Sequence, residues 1–156
     1  MGRQAWEESE ARFGTYVEGL TSVIGHADRA APLKPGVAAL LDHLDVLRTP
    51  YALATSSGPG WVSKHFSAHG LGERFRGVVT REDVTHGKPH PEPYLKASTI
   101  LGHPPAGILA IEDSPTGVES AHAAGLMTIM IPDLIQPDEE TRARALHVGA
   151  SLDEIP

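Results

Sequence analysis

Three polar clusters in this sequence carry residue types that handle anions and cations, and each follows a short apolar run or lies in a proline-rich loop. The first is Leu53-Ala54-Thr55-Ser56-Ser57-Gly58. A hydroxyl and free backbone N–H groups after a strand and before a helix start suit an anionic oxygen. The same residues read equally well as an ordinary helix cap. The second is His86-Gly87-Lys88-Pro89-His90-Pro91-Glu92-Pro93. A lysine between Gly87 and Pro89 sits in a stiff, non-helical turn, where its ammonium could be aimed into a site as a point charge for phosphate. Taken alone, a solvated loop lysine is the plainer reading. The third runs from Ile108 to Val118 and contains Glu112-Asp113-Ser114. Two adjacent carboxylates at the end of an apolar strand repel one another. A hard divalent cation such as Mg²⁺, which takes oxygen ligands and keeps several waters, would relieve that repulsion. Capping by Asp113 or Ser114 explains one acid but not both.

The nine histidines offer less. His86 and His90 make a metal-like pair by count, but the surrounding prolines deny them the one-face geometry of a helix. His65 and His69 have helical spacing, with nothing nearby to complete a site. All nine are read as structural or surface residues.

The elements that must position these clusters follow from periodicity. Trp6, Phe13, Val17 and Leu20 fall near helical spacing within Gln4 to Leu20, with Glu7, Glu8 and Glu10 in the first turns, where the helix dipole favours acids. Residues 21 to 35 read as a connection. Val37, Leu40, Leu41, Leu44 and Leu47 predict a helix with one apolar face. Tyr51 to Ala54 is a strand opening into the Thr55 loop. Helices are expected over Trp61–His69, Glu92–Leu101, Thr116–Ala124 and Pro137–Leu146. Strands are expected at Gly77–Val79, Ile108–Ile111 and Thr128–Ile131, with a last short one at Gly149–Leu152. This alternation is that of an α/β fold, a Rossmann-like parallel sheet with helices on both faces. In such sheets ligands bind beyond the carboxyl ends of the strands, and the polar clusters sit there.

Composition narrows the function classes. Of the 156 residues, 40% are hydrophobic, enough for a real core, and 5% are aromatic, so aliphatic residues must fill it. The net charge of -7 argues against a nucleic-acid footprint. The absence of cysteine excludes disulfides and thiolate metal sites. The first ten residues carry acids and no apolar run, unlike a signal peptide, and no stretch reaches the length of a membrane span. The expected setting is cytoplasmic, without membrane or nucleic-acid partners.

Taken together and in order, Thr55-Ser56-Ser57, Gly87-Lys88-Pro89 and Glu112-Asp113-Ser114 resemble the second, third and fourth motifs of the haloacid dehalogenase-like hydrolases. Pro35-Gly36-Val37, His69-Gly70-Leu71, Ala121 to Gly125 and Ile131-Pro132-Asp133 are similar to the beta-phosphoglucomutase-like phosphatase branch. The resemblance runs from about Pro35 to the end. It implies that Thr55 hydrogen-bonds a transferring phosphoryl group with help from the Ser56 N–H. It implies that Lys88 bridges that group and the nucleophile, and that Glu112 and Asp113 hold Mg²⁺. The substrate implied is a small phosphorylated metabolite.

The same resemblance exposes a gap. The family's first motif is Asp-X-Asp, supplying the nucleophile that forms an aspartyl-phosphate and the general acid and base. No Asp-X-Asp occurs in the sequence. The amino-terminal helical pattern instead resembles the end of the family's helical cap. The expectation is a truncated chain, with residues 1–34 a cap remnant and hinge and 35–156 an incomplete core domain. The central strand would then be missing between the strands ending at Thr55 and Glu112. Either those two strands pair directly, or family-like spacing persists and raw edges promote self-association. The spacing is expected to persist. Functionally, the alternatives are a phosphatase whose nucleophile is absent from this chain, a phosphomutase of the beta-phosphoglucomutase type, or an inactive binding or regulatory module.

Overall fold

The computed structural model describes residues 33–154 together with the backbone of Tyr16–Glu18. The elements are β1 (Tyr16–Glu18), α1 (Val37–Leu47), β2 (Leu53–Ala54), α2 (Pro59–His69), β3 (Val78–Val79), α3 (Glu92–Leu101), β4 (Leu109–Glu112), α4 (Pro115–Ala123), β5 (Met127–Met130), α5 (Glu139–Arg144) and β6 (His147–Val148). The strands form one six-stranded sheet in the order β3-β2-β1-β4-β5-β6. Every pair in it is parallel. The expected α/β parallel architecture is therefore present.

Its centre is different from the expectation. β2 and β4 do not pair directly, in keeping with family-like spacing, but the slot between them is not vacant. β1 occupies it, with Glu18 opposite Leu53 on one side and Tyr16, Val17 and Glu18 opposite Leu109, Ala110 and Ile111 on the other. The absent central strand is thus corrected to a present one, built from residues read as helix and assigned to a cap remnant. The physical reason is backbone pairing. Two buried strands facing an empty slot would leave rows of N–H and C=O groups unsatisfied, which outweighs a weak local preference for helix. The raw edges expected at β2 and β4 go with it. The remainder of the helical reading over Gln4–Leu20, and of the proposed cap remnant, lies outside the described residues.

Two cores follow from strand alternation. One joins Val37, Leu40, Leu41 and Leu44 of α1 and Val62 of α2 to Leu53, Leu109, Ile111 and Ile129. The other joins Tyr94, Ala97 and Leu101 of α3 and Ala121 of α4 to Ala52, Ala54, Ile108 and Ala110. The first face is filled by branched aliphatics. On the second, alanines in β2 and β4 leave room for the Tyr94 ring, which is completely buried. α2 stops at Gly70, whose φ of 66° is a left-handed conformation that glycine adopts at little cost. Near the end, the expected strand at Gly149–Leu152 is instead β6, and Leu152–Glu154 is a 3₁₀ turn. α5 starts later than expected because the Asp138 side chain caps it, accepting from the Thr141 N–H at 2.8 Å.

Candidate active site

All three polar clusters reach the carboxyl edge of the sheet. Thr55 follows β2 directly and is buried. Its N–H extends the ladder to the Val79 carbonyl at 2.8 Å. Its Oγ1 accepts from the Ser57 N–H at 3.0 Å, which uses a lone pair and not the hydroxyl proton. The capping reading and an anion-binding reading are therefore compatible at this residue. Ser56 lies exposed at the turn.

Lys88 is not a solvated loop residue. Its side chain is 4% exposed. Nζ donates to the Ala54 carbonyl at 3.1 Å, immediately before Thr55, and to the Glu112 carboxylate. The loop that aims it is pinned at both ends. The Thr85 and His86 N–H groups donate to the Glu92 carboxylate at 3.0 and 2.9 Å. Those two backbone donors hold Glu92 down at about 2. Farther along, Ser120 Oγ donates to the His90 carbonyl at 2.6 Å.

Glu112 closes β4 with its side chain fully buried. Oε1 receives Lys88 and the Tyr94 phenol. Oε2 receives the Asp113 N–H at 3.3 Å and Ser114 Oγ at 3.4 Å. Burial first, and the Glu112 charge second, push the Tyr94 hydroxyl well above its ordinary value, so it stays a neutral donor. Gly117 makes this possible, because a Cβ there would collide with the Glu112 carboxylate. Ser114 caps α4 by accepting from the Gly117 N–H at 3.1 Å.

Asp113 turns elsewhere. Its Oδ2 lies 3.4 Å from Lys34 Nζ, which also lies 3.3 Å from Asp133 Oδ2. Two carboxylates thus present oxygens to one cationic point. That all-oxygen donor set fits a hard cation such as Mg²⁺ at Asp113. Glu112 is less open to such a role, because its Oε1 is taken up by Lys88 and Tyr94.

The structure therefore gathers Lys88, Glu112 and the Ala54-Thr55 backbone into one buried group, with Asp113 beside it in sequence but facing a different partner. Tyr94 and Lys34 are site residues that the sequence does not single out, and Asp133 and Gly117, though they lie in segments noted there, are given no role by it. Tyr94 reads as ordinary helix core, and nothing local to Lys34 or Asp133 shows that they meet.

A motif order on an α/β sheet and a buried lysine–glutamate pair at its carboxyl edge narrow the relatives to be expected. The family model described as "Haloacid dehalogenase-like hydrolase" matches residues 5–131. The chain belongs to the haloacid dehalogenase-like hydrolase family. It is 39% identical over 130 residues to the "Probable pseudouridine-5'-phosphatase" of Drosophila melanogaster, covering 80% of this chain and 56% of that one. It is 38% identical over 99 residues to hexitol phosphatase A of Escherichia coli, covering 62% and 44%. Among solved structures, CbbY from Rhodobacter sphaeroides in complex with phosphate superposes with a TM-score of 0.73 at 31% identity, over 79% of this chain and 56% of that one. These relatives place the chain in the beta-phosphoglucomutase-like branch. The chain spans about half the length of the relatives it matches. Among the described residues no helix is long and apolar enough to cross a membrane.

Proposed function

We propose that this chain carries the phosphate- and cation-binding half of a phosphoric monoester hydrolase acting on a small phosphorylated metabolite. The observation that carries the reading is the buried Lys88, held against the Ala54 carbonyl and Glu112 at the carboxyl edge of the sheet. A lysine so placed offers charge to a phosphoryl oxygen without first ordering a long side chain. Thr55 would donate its hydroxyl proton to the same group, and the exposed Ser56 turn would add a backbone N–H. Asp113 would hold Mg²⁺, which when bound would offset negative charge on the phosphoryl oxygens. Glu112 would position Lys88 and complete the acidic edge beside the cation.

In this reading the phosphoryl group passes from its alcohol to a carboxylate, giving an aspartyl-phosphate, and then to water. The attacking aspartate belongs to an Asp-X-Asp motif, and the sequence contains none. The 156-residue chain alone is therefore expected to bind phosphate without turning over a substrate. That same absence favours a second reading, an inactive binding or regulatory module.

The test is calorimetric titration of inorganic phosphate, with Mg²⁺, into the wild-type chain, Thr55→Ala and Lys88→Met, with circular dichroism to check folding. Binding weakened about tenfold or more by each folded variant supports the site, since each removes a charged or hydrogen-bonding contact to the anion. Thr55→Ala keeps the test open if Lys88→Met fails to fold. Phosphate affinity unchanged in Thr55→Ala would overturn it. Robust Mg²⁺-dependent hydrolysis of p-nitrophenyl phosphate by the pure chain would remove the claim that the nucleophile is absent.

A further inference from the structure

The loop that presents Lys88 inward gathers a different set of groups on its outer side. One ring nitrogen from each of His86 and His90 and one carboxylate oxygen of Glu92 all lie within 4.8 Å of one another. The two imidazole rings sit 4.6 Å apart, centroid to centroid. The loop turns back on itself and achieves what a helical spacing would have given. We propose that His86, His90 and Glu92 form a binding site for a borderline transition-metal ion of the zinc class, separate from the cation site at Asp113.

The donor set selects the ion. Two imidazole nitrogens and one carboxylate suit Zn²⁺, Co²⁺ or Ni²⁺, whereas Mg²⁺ prefers oxygen alone. Geometry agrees. Zn–N and Zn–O bonds of about 2.0–2.2 Å on a tetrahedron separate neighbouring donors by roughly 3.3–3.5 Å. His86 Nδ1 and Glu92 Oε2 already stand 3.4 Å apart. His90 needs only a side-chain adjustment, giving up a long 3.2 Å bond from the Glu92 N–H to its Nδ1. Water would take the remaining position at this exposed surface.

The surroundings hold the carboxylate ready. Glu92 is fixed by the Thr85 and His86 N–H groups. Lys96 Nζ sits 3.2 Å from Glu92 Oε1, the other oxygen, so Oε2 is the one left facing His86. Such outer contacts orient ligands before the ion arrives. The His90 carbonyl, fastened by Ser120, anchors the second histidine's backbone. A bound ion would tie residues 86, 90 and 92 into one clamp around Lys88. The inference rests on these contacts and not on the phosphatase reading.

The experiment is titration of Zn²⁺ into the purified, tag-free chain by calorimetry, with Co²⁺ and visible absorption as a second probe. One equivalent should bind, and Co²⁺ should give the intense visible bands of a low-symmetry, four-coordinate site. His86→Gln and His90→Gln should each weaken binding by about tenfold or more, because each removes a direct ligand. Both changes are in an exposed loop and should leave the circular dichroism spectrum unaltered. His43→Gln, on the exposed face of α1, should change affinity less than twofold. Absence of stoichiometric binding, or one-equivalent binding that survives the double His86→Gln/His90→Gln variant, overturns the proposal.

Discussion

Glu112 and Asp113 are consecutive residues, yet the fold gives them different neighbours. Glu112, at the end of β4, points into the alanine-lined side of the sheet, where Lys88 and Tyr94 take one of its oxygens. Asp113 meets Lys34, which Asp133 shares. Adjacent residues leaving a strand diverge because successive side chains point to opposite faces. Repulsion between the two acids, which in the sequence asks for a metal, is met in part by two lysines on two sides. One acid is locked in a closed, buried group. The other stands at the ammonium of Lys34, where the proposed divalent cation would compete with it. The first is therefore expected to bear on stability, and the second, in the proposed reading, on cation binding.

The sharpest way to break this contrast is to remove the lysine from the closed side. Lys88→Met leaves the Glu112 carboxylate buried without its counter-charge. Both side chains are almost completely buried, at 4% and 0% exposed, so solvent offers little relief. The expected loss is about 3–5 kcal/mol in urea denaturation. Lys88→Met/Glu112→Gln should recover a large share, since it removes the charge as well as its partner. A single variant as stable as the wild type would show that Glu112 is not held by charge pairing.

A smaller loss should follow from Gly117→Ala. The added methyl meets the Glu112 carboxylate, which its bonds to Lys88 and Tyr94 prevent from swinging away. About 1–3 kcal/mol is expected from forced overpacking. Helix propensity pulls the other way by less than about 1 kcal/mol, because Gly117 lies in the first turn of α4 and not in its interior. A net gain in stability would mean that Glu112 moves freely and that the closed group is loosely held.

The contrast also shows where sequence reasoning reaches. Alternating apolar runs and helical spacings predict β2 through β5 and the helices between them, because each pattern is local. Thr55, Glu112 and Asp113 stand out because a strand end followed by polar residues is also a local signal, whereas Lys88 stands out only through its Gly-Lys-Pro loop and the ordered resemblance. Tyr94 does not, since a tyrosine on an apolar helix face gives no sign of where its hydroxyl ends. The link between Lys34, Asp113 and Asp133 depends on three segments meeting, which no window of sequence contains. The centre of the sheet is misread for the reverse reason. The helical spacing of Val17 and Leu20 is real but weak, and the pairing needs of β2 and β4 override it at Tyr16–Glu18. Helical grounds also set His86 and His90 aside, although a turn can bring two rings within 4.6 Å without a helix.

The open side calls for a subtler measurement, because its effect on stability should be smaller. Lys34 and Asp133 are partly exposed, at 21% and 34%, so solvent screens their pairing, but Asp113 is only 8% exposed, and Lys34→Met should cost about 1–2 kcal/mol, still less than Lys88→Met. Its effect on cation binding should be the more direct readout. The ammonium lies 3.4 Å from Asp113 Oδ2, too close for a divalent ion to use that oxygen while the lysine stays. A bound ion must displace Lys34 and also tolerate its charge nearby. Removing the lysine lifts both penalties and leaves Asp113 and Asp133 facing one another, a repulsion that the ion relieves. Mn²⁺ reports this directly, since its free form is counted by electron paramagnetic resonance. Lys34→Met should bind Mn²⁺ more tightly by on the order of tenfold, a change of about 1.4 kcal/mol that partly screened charges at this distance can supply. Asp113→Asn should abolish the gain. Equal Mn²⁺ affinity in wild type and Lys34→Met would mean that the lysine and the ion do not compete, and that the Asp113 oxygen beside Lys34 is not where the ion binds.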